Sequence, residues 1–390
     1  MQIKRVLFVR TPPYDYKFGK YNVQQIGMGK AFCNLGIDFD FVTLKKKNCR
    51  TWVAYEKDGH KCTVIEVPRF KLLRWGINRK VLDRDFLGQY DLVISQEYYQ
   101  IMTYYLSKNF SNTVMYTGPY WNLFHTRVES ALYDYFFTRR LNQGINYKFA
   151  KSSLAKQFLE KKGYTNVFDI GVGLEFEGYD NVSACDSIKE VLKVLKDCKF
   201  LLYVGRIDKN KNVAFLFDVF EKVLSRYPDI KLVIVGRCQQ TIVSRMLKKN
   251  NNYLNVLLKS HSKQLTENLI HIDSIDNNQL QFLYSKASAF LLPSIYEIFG
   301  MVLLEAMYFG APVVSSFNGG ATSLIPNNTY GQMIKSFNLN DWANAVFKYL
   351  EDTKYTSMVI KTAKDNVLNN YNWNSIVKKM LGIMGYYSNS

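Results

Sequence analysis

Residues 293–307, PSIYEIFGMVLLEAM, place two glutamates, Glu297 and Glu305, eight positions apart in an otherwise apolar run. The run reads as a strand end, a short loop and a helix closed by Gly310, with Pro312 just beyond. Met301, Val302, Leu303, Leu304, Ala306, Met307, Tyr308 and Phe309 leave that helix no polar face, so it is expected to be buried. The places three and four residues from Glu305 hold Met301, Val302, Tyr308 and Phe309, none of them a cation. A buried carboxylate then needs partners from elsewhere, either protein or ligand. Carboxylates accept hydrogen bonds in pairs, which suits vicinal hydroxyls. Two core glutamates satisfied by distant arginines is the alternative.

The helix start adds a second chemistry. The amides of Phe299, Gly300 and Met301, which follow Ile298, suit phosphate oxygens. Glu297 is expected in front of that helix end and Glu305 about five residues along it, roughly 7.5 Å away. The stretch LLYVGRIDKNKN (201–212) repeats the device: a strand, a loop with Gly205, Arg206 and Lys211, and a helix from about Asn212. Lys211 at a helix N-terminus is unfavourable unless an anion docks there. An ordinary surface loop with three cations is the plainer reading. A nucleotide diphosphate sugar has the matching order of groups: ribose diol, diphosphate, sugar hydroxyls. IGMGKA (26–31) lacks the spacing and the Ser/Thr of a phosphate-binding Walker loop.

These loops need strands and helices to hold them. RVLFVRT, DFDFVTL, DLVIS and TVMYTG in the first half, and KFLLYVG, KLVIVG, AFLLP and PVVSS in the second, are short apolar strand candidates. Helix-like stretches such as QQIGMGKAFCNLG, NVAFLFDVFEKVLSRY and NQLQFLYSKA separate them. The alternation predicts an α/β fold of two Rossmann-like, doubly wound parallel-sheet domains facing across a cleft. The expected division is 1–175, a polar linker over 176–198, a second domain over 199–370 and a final helix over 371–390 that crosses back to the first domain.

The chain of 390 residues is 47% hydrophobic and 22% charged, as in soluble globular proteins. No apolar run is long enough to span a membrane, and RVLFV is too short and badly flanked for a signal peptide. Six scattered cysteines without a CxxC pair argue against a disulfide framework and a zinc site, and fit a reducing cytoplasm. Four histidines without ligand spacing suggest no metal. The net charge of +18 is unusual. It concentrates at Lys45, Lys46, Lys47, Arg50, Lys57, Lys61, Arg69, Lys71, Arg74, Arg79 and Lys80, and again at Arg139, Arg140, Lys148, Lys151, Lys156, Lys161 and Lys162, with aromatic residues interleaved. Such a surface suits anionic lipid better than nucleic acid, or is a solvated basic face.

GRIDKNKN followed by LVIVG, then LLPSIYEIFGMVLLEAMYFGAPVVSS and NGG, resembles the donor half of a family 4 glycosyltransferase, a retaining enzyme with the GT-B fold. The resemblance covers roughly residues 150–380. It includes AKSSLAKQFLEKKGYTNVFDIGVGLEF, with Glu175 where the family has aspartate, and the closing YNWNSIVKKMLGIMGYY. It implies sugar transfer from a nucleotide diphosphate donor without cofactor or metal. Arg206 and Lys211 would neutralise the leaving diphosphate, Glu297 would position sugar hydroxyls and Glu305 would hold the ribose.

The N-terminal half departs from the family. Thr117, Gly118 and Pro119 stand where a histidine is common, and Gln96 and Glu97 follow DLVIS. Gly19 is the nearest candidate for the glycine-rich turn, and Ser323 stands about where many relatives have glutamate. Glu97, Tyr120 and His125 are the candidates on the acceptor side. The expected acceptor is a lipid-linked or membrane-associated glycan in cell-surface polysaccharide or glycolipid assembly. The protein would then be cytoplasmic and peripheral on the inner face of the membrane. A soluble acceptor, or a non-catalytic nucleotide-sugar-binding subunit of another transferase, are the alternatives. Nucleic acid is not an expected partner.

Overall fold

The computed structural model describes the chain except residues 1–2, 13–14, 17, 19–22, 73–74, 125, 239–252 and 388–390. It divides into two compact units, Met1–Glu175 with Asn370–Ser390, and Phe176–Asn369.

The first unit is built on an eight-stranded sheet. Its spatial order is Val167–Asp169, Lys148–Ala150, Thr113–Thr117, Leu92–Gln96, Arg5–Arg10, Asp38–Lys45, His60–Pro68 and Thr51–Lys57. All neighbours pair in parallel except the last two, which form an antiparallel hairpin. That hairpin lies within the basic stretch read as surface from the sequence. Its signals were alternation in TWVAYEK and an Asp-Gly turn, and Asp58 and Gly59 both adopt the positive φ that such turns require. The helix Gln24–Cys33 holds the IGMGKA segment, whose glycines serve packing: a Cβ on Gly27 would strike the Trp373 ring. Trp373 opens the helix Trp373–Ile383, which belongs to this unit, and Leu174 bridges to Asn372.

The second unit carries a six-stranded, wholly parallel sheet. Its order is Leu269–Ile272, Lys231–Val235, Phe200–Val204, Ala289–Leu292, Val313–Ser316 and Gln332–Ile334. Counted along this unit, the order is third, second, first, fourth, fifth, sixth, which is the doubly wound Rossmann arrangement. Its strands read as unbroken apolar runs because helices cover both faces. Helix Val213–Leu224 contributes Val213, Leu216, Phe217, Val219, Phe220 and Val223 to one core with Trp342 and Val346.

The segment 176–198, expected as a linker, is part of the second unit and includes a helix, Asp186–Val194. The Cys185 amide donates to Gln279 Oε1 at 2.8 Å, and Tyr179 is buried against Phe309, 4.8 Å between ring centroids. Its polar composition hid a helix with a single buried position, Ile188. None of the six cysteines is in a disulfide. Among the described residues no helix is long and apolar enough to cross a membrane.

Candidate functional site

Sheet order in the second unit reverses between Phe200–Val204 and Ala289–Leu292, which are hydrogen-bonded neighbours. Ligands in open α/β sheets bind at the carboxyl ends of strands at such a point. The loops that leave these two ends, 205–212 and 293–300, are tied together. The Ile295 amide donates to the Asn210 carbonyl at 2.8 Å, and Asn210 Nδ2 donates to the Tyr296 carbonyl at 3.0 Å.

Within the first loop the Gly205 amide donates to the Val235 carbonyl at 2.9 Å, and Tyr203 Oη donates to the Arg206 carbonyl at 2.8 Å. Asp208 is buried; it accepts from the Lys211 amide at 2.9 Å and lies 3.4 Å from Arg206. The Arg206 side chain is 72% exposed, so its guanidinium is open to an incoming anion. Lys211 turns to the second loop and forms an ion pair with Glu297, both side chains being largely buried. Asn212, in the left-handed conformation, ends the loop and helix Val213–Leu224 begins.

The second loop delivers Glu297 to the start of helix Met301–Phe309, which is capped by left-handed Gly300 and closed by left-handed Gly310, as expected. Ile298 is half-buried and Phe299 buried. Helix Gly319–Leu324, which starts in the NGG segment, packs on this loop: the Gly319 amide donates to the Glu297 carbonyl at 3.0 Å. A Cβ on Gly319 would strike the Ile298 carbonyl and one on Gly320 the Phe299 carbonyl, so only glycine permits this approach.

Glu305 is 3% exposed and its partners are protein groups. Asn277 Nδ2 donates to Oε1 at 3.1 Å, Tyr179 Oη to Oε1 at 3.4 Å, and Tyr284 Oη to Oε2 at 3.3 Å. The distant-arginine alternative is therefore corrected: an amide and two phenols satisfy the carboxylate. Burial pushes its pKa up from 4.5 to about 7, against the hydrogen bonds from Asn277, Tyr284 and Tyr179. Nothing local in the sequence marks Tyr179, Tyr284 and Asn277 as site residues. Tyr179 lay in the supposed linker, and no spacing in the sequence links these three to Glu305. Asp208 and Asn210 lie inside the GRIDKNKN motif, where sequence alone makes them ordinary loop residues.

The acceptor-side candidates lie in the first unit. Glu97 follows the strand Leu92–Gln96, at the point where that sheet's order reverses, and has a positive φ of 70°. Its buried carboxylate accepts from Thr117 Oγ1 at 2.7 Å and from the Gly118 amide at 3.2 Å, and Lys151 Nζ lies 3.9 Å away. Burial lowers the Lys151 pKa, with Glu97 raising it and Arg10 lowering it. Tyr120 is half-buried and packs edge-on to Trp121, 4.8 Å between ring centroids. His125 and Gly19 lie outside the described residues.

Some of the basic residues are not at the surface or are already paired. Lys148 and Lys151 are buried, and desolvation lowers Lys148 to about 8. Lys45 and Arg50 lie 2.7 and 3.5 Å from Glu66, and Lys162 pairs with Asp134. Among the described residues no group of His, Cys, Asp and Glu has the arrangement of a metal site.

A family model described as glycosyl transferases group 1 matches residues 186–366, which contain both loops and both glutamates. Residues 186–366 are thus similar to that family. An uncharacterized glycosyltransferase of Methanocaldococcus jannaschii is 28% identical over 218 residues, 56% of this chain and 51% of the relative. A lipopolysaccharide 1,2-N-acetylglucosaminetransferase of Salmonella typhimurium is 26% identical, covering 50% of each chain. A phosphatidyl-myo-inositol mannosyltransferase of Mycolicibacterium smegmatis is 22% identical, over 68% of this chain and 64% of the relative. The matches thus span about half to two thirds of these relatives' lengths.

Solved structures extend the likeness to the whole fold. A sucrose-phosphate synthase from Thermosynechococcus elongatus superposes with a TM-score of 0.69 at 19% identity, covering 98% of both chains. An Anabaena protein in complex with UDP and glucose superposes with a TM-score of 0.67 at 15% identity, covering 98% of this chain and 100% of that one. The fold of the group 1 segment and its N-terminal partner unit is GT-B, as the sequence resemblance implied.

Proposed function

We propose that the chain is a retaining, metal-independent glycosyltransferase that moves a sugar from a nucleotide diphosphate donor to a lipid-linked or membrane-associated glycan acceptor. The observation that carries this reading is the meeting of Arg206, Lys211 and Glu297 at the switch point of the second sheet. In the transfer, the bond from the anomeric carbon to the diphosphate oxygen breaks and the acceptor oxygen bonds to that carbon. The acceptor's proton passes to the departing phosphate. Negative charge grows on the diphosphate as it leaves. Arg206, Lys211 and the amides of Phe299, Gly300 and Met301 would stabilise it, supplying positive charge without a metal.

A diphosphate competes with Glu297 for Lys211. Once Lys211 turns to the phosphates, the Glu297 carboxylate accepts from sugar hydroxyls and orients the anomeric carbon. Glu305 takes the ribose diol at the other end of the helix's first turns. Glu97 and Tyr120 serve the acceptor. The UDP bound in an Anabaena neighbour supports a uridine donor, and the lipopolysaccharide and phosphatidyl-myo-inositol relatives support a lipid-linked acceptor in cell-surface glycan assembly.

The test is thermal unfolding with UDP, GDP, ADP and CMP in parallel. A ligand at a hundred times its dissociation constant adds about 2.7 kcal/mol, a shift of a few degrees for domains of this size. A shift with one diphosphate identifies the donor base. No shift with any of them overturns the reading.

A further inference from the structure

One continuous stretch of the first unit, Arg127–Gly144, runs as α-helix to Tyr133, as a π-turn over Asp134–Thr138 and as α-helix from Arg139. Ser130, Tyr133, Thr138 and Leu141 face inward. Val128, Leu132, Tyr135 and Phe136 face out, at 68%, 54%, 79% and 48% exposure. Exposed large apolar groups contiguous on one face of a folded protein mark an interaction surface.

The spacing and the π-turn fit each other. The outward residues come in pairs every fourth position: 127 and 128, 131 and 132, 135 and 136, 139 and 140. In a regular α-helix such a pattern drifts about 40° per repeat and would carry part of the face into the core. A π-turn holds more residues per turn and takes up that drift, so the exposed residues remain on one side. A π-turn is uncommon enough to be a specific feature of this helix. The same positions carry Arg127, Arg139 and Arg140 and no carboxylate. Glu129 and Asp134 are half-buried off this face, and Asp134 pairs with Lys162.

We infer that this face docks on an anionic phospholipid bilayer, which would present the first unit to a membrane-held acceptor. The inference rests on the transferase reading for its purpose, but not for its geometry. Val128, Leu132, Tyr135 and Phe136 would enter the headgroup and acyl boundary, and the arginines would meet lipid phosphates. A second copy of the chain is the poorer occupant, because a two-fold contact sets each copy's arginines against the other's. Lys148 and Lys151, which the sequence offered as membrane-facing cations, are excluded by their burial, and Lys45 is held by Glu66.

The experiment is flotation of the full chain with phosphatidylcholine vesicles and with vesicles containing about a third phosphatidylglycerol, comparing wild type with Leu132→Ser/Tyr135→Ser/Phe136→Ser. Thermal unfolding and light scattering of each sample report folding and oligomeric state. Wild type is expected to float with the anionic vesicles, less so as salt rises, and the triple variant to lose at least about tenfold in partitioning while remaining folded. A destabilised triple variant is replaced by Val128→Ser/Tyr135→Ser, the two most exposed positions, with the same expectation. Wild type that ignores anionic vesicles, or variants that float as well as wild type, overturns the inference. A wild-type dimer that the triple variant converts to monomer also overturns it, since the face then joins copies. The nucleotide shift measured on the same samples separates the two readings: a normal shift without flotation overturns only the docking face, and flotation without a shift overturns only the transferase.

Discussion

Lys211 and Glu297 form an ion pair that joins the loop after one central strand to the loop after its neighbour. Each residue is thereby held at the switch point by the other, and under the proposed function a diphosphate would exchange one partner of this pair. Lys211→Ala is expected to weaken nucleotide diphosphate binding about ten- to a hundredfold, the range for a charged hydrogen bond. Glu297→Gln is expected to leave that affinity unchanged or raise it, since Lys211 is then free, while kcat with the sugar donor falls. Calorimetric titration with nucleotide and steady-state kinetics separate the two. A Glu297→Gln variant that loses nucleotide affinity as Lys211→Ala does contradicts the exchange.

Glu305 gives a dependence on pH. Its folded-state pKa, about 7, lies above the ordinary 4.5, so the folded chain holds this proton more tightly than the unfolded chain. Its contribution to stability is therefore present in full below about 4.5 and is lost as the pH rises through about 7. The loss amounts to about 3 kcal/mol. Glu305→Gln is expected to match wild type near pH 4.5 and to exceed it in stability above pH 7, read by denaturant unfolding at both.

Under the proposed function the same carboxylate would report on a bound ribose. A diol that donates to Glu305 favours its charged form, so nucleotide binding near pH 7 should release a proton. Titration calorimetry in buffers of different ionisation enthalpy measures that release. Binding without proton release, and unchanged in Glu305→Gln, leaves Glu305 a structural residue of the Asn277, Tyr179 and Tyr284 network.

Gly320 lies where the NGG helix touches the loop of Glu297. Gly320→Ala forces its Cβ against the Phe299 carbonyl and is expected to cost about 1–3 kcal/mol. Because the displaced loop carries Glu297, kcat should fall with it. Gly178→Ala is the control: nothing lies within 4 Å of a Cβ there. Equal effects from the two would show that the contact does not hold the loop.

Glu97 and Lys151 are both buried, so removing one leaves the other's charge uncompensated. Glu97→Gln is expected to destabilise by about 3 kcal/mol, and Lys151→Met in the same chain to recover most of it. A double-mutant cycle in unfolding free energy measures this. Recovery of stability without recovery of transfer to the acceptor is the outcome expected if Glu97 also serves the acceptor.

The elements that the sequence foretold best are those whose signal is local. The strands at Arg5–Arg10, Phe200–Val204, Lys231–Val235 and Ala289–Leu292 announce themselves as apolar runs, because a parallel sheet covered on both faces leaves no polar side. The hairpin Thr51–Lys57 with His60–Pro68 was hidden by its charges, which a sheet edge tolerates because one side stays in water. Lys148 and Lys151 misled for the opposite reason: a lysine's sequence neighbours do not reveal that Ile145 and Asn142 carbonyls, or a buried glutamate, surround its ammonium.

For the candidate site, the sequence by itself determined which groups are present: a cation pair in a strand-to-helix loop, two glutamates framing a helix start, and glycines at both ends of that helix. Spacing along one chain segment sets these, since rise per residue and capping geometry are local. Tertiary structure alone decided that Lys211 pairs with Glu297, that Gly319 and Gly320 clasp the loop between them, and that Tyr179, Asn277 and Tyr284 hold Glu305. Those partners come from separate loops and short helices that only the doubly wound order brings together, and burial there, rather than residue type, lifts the affinity of Glu305 for its proton.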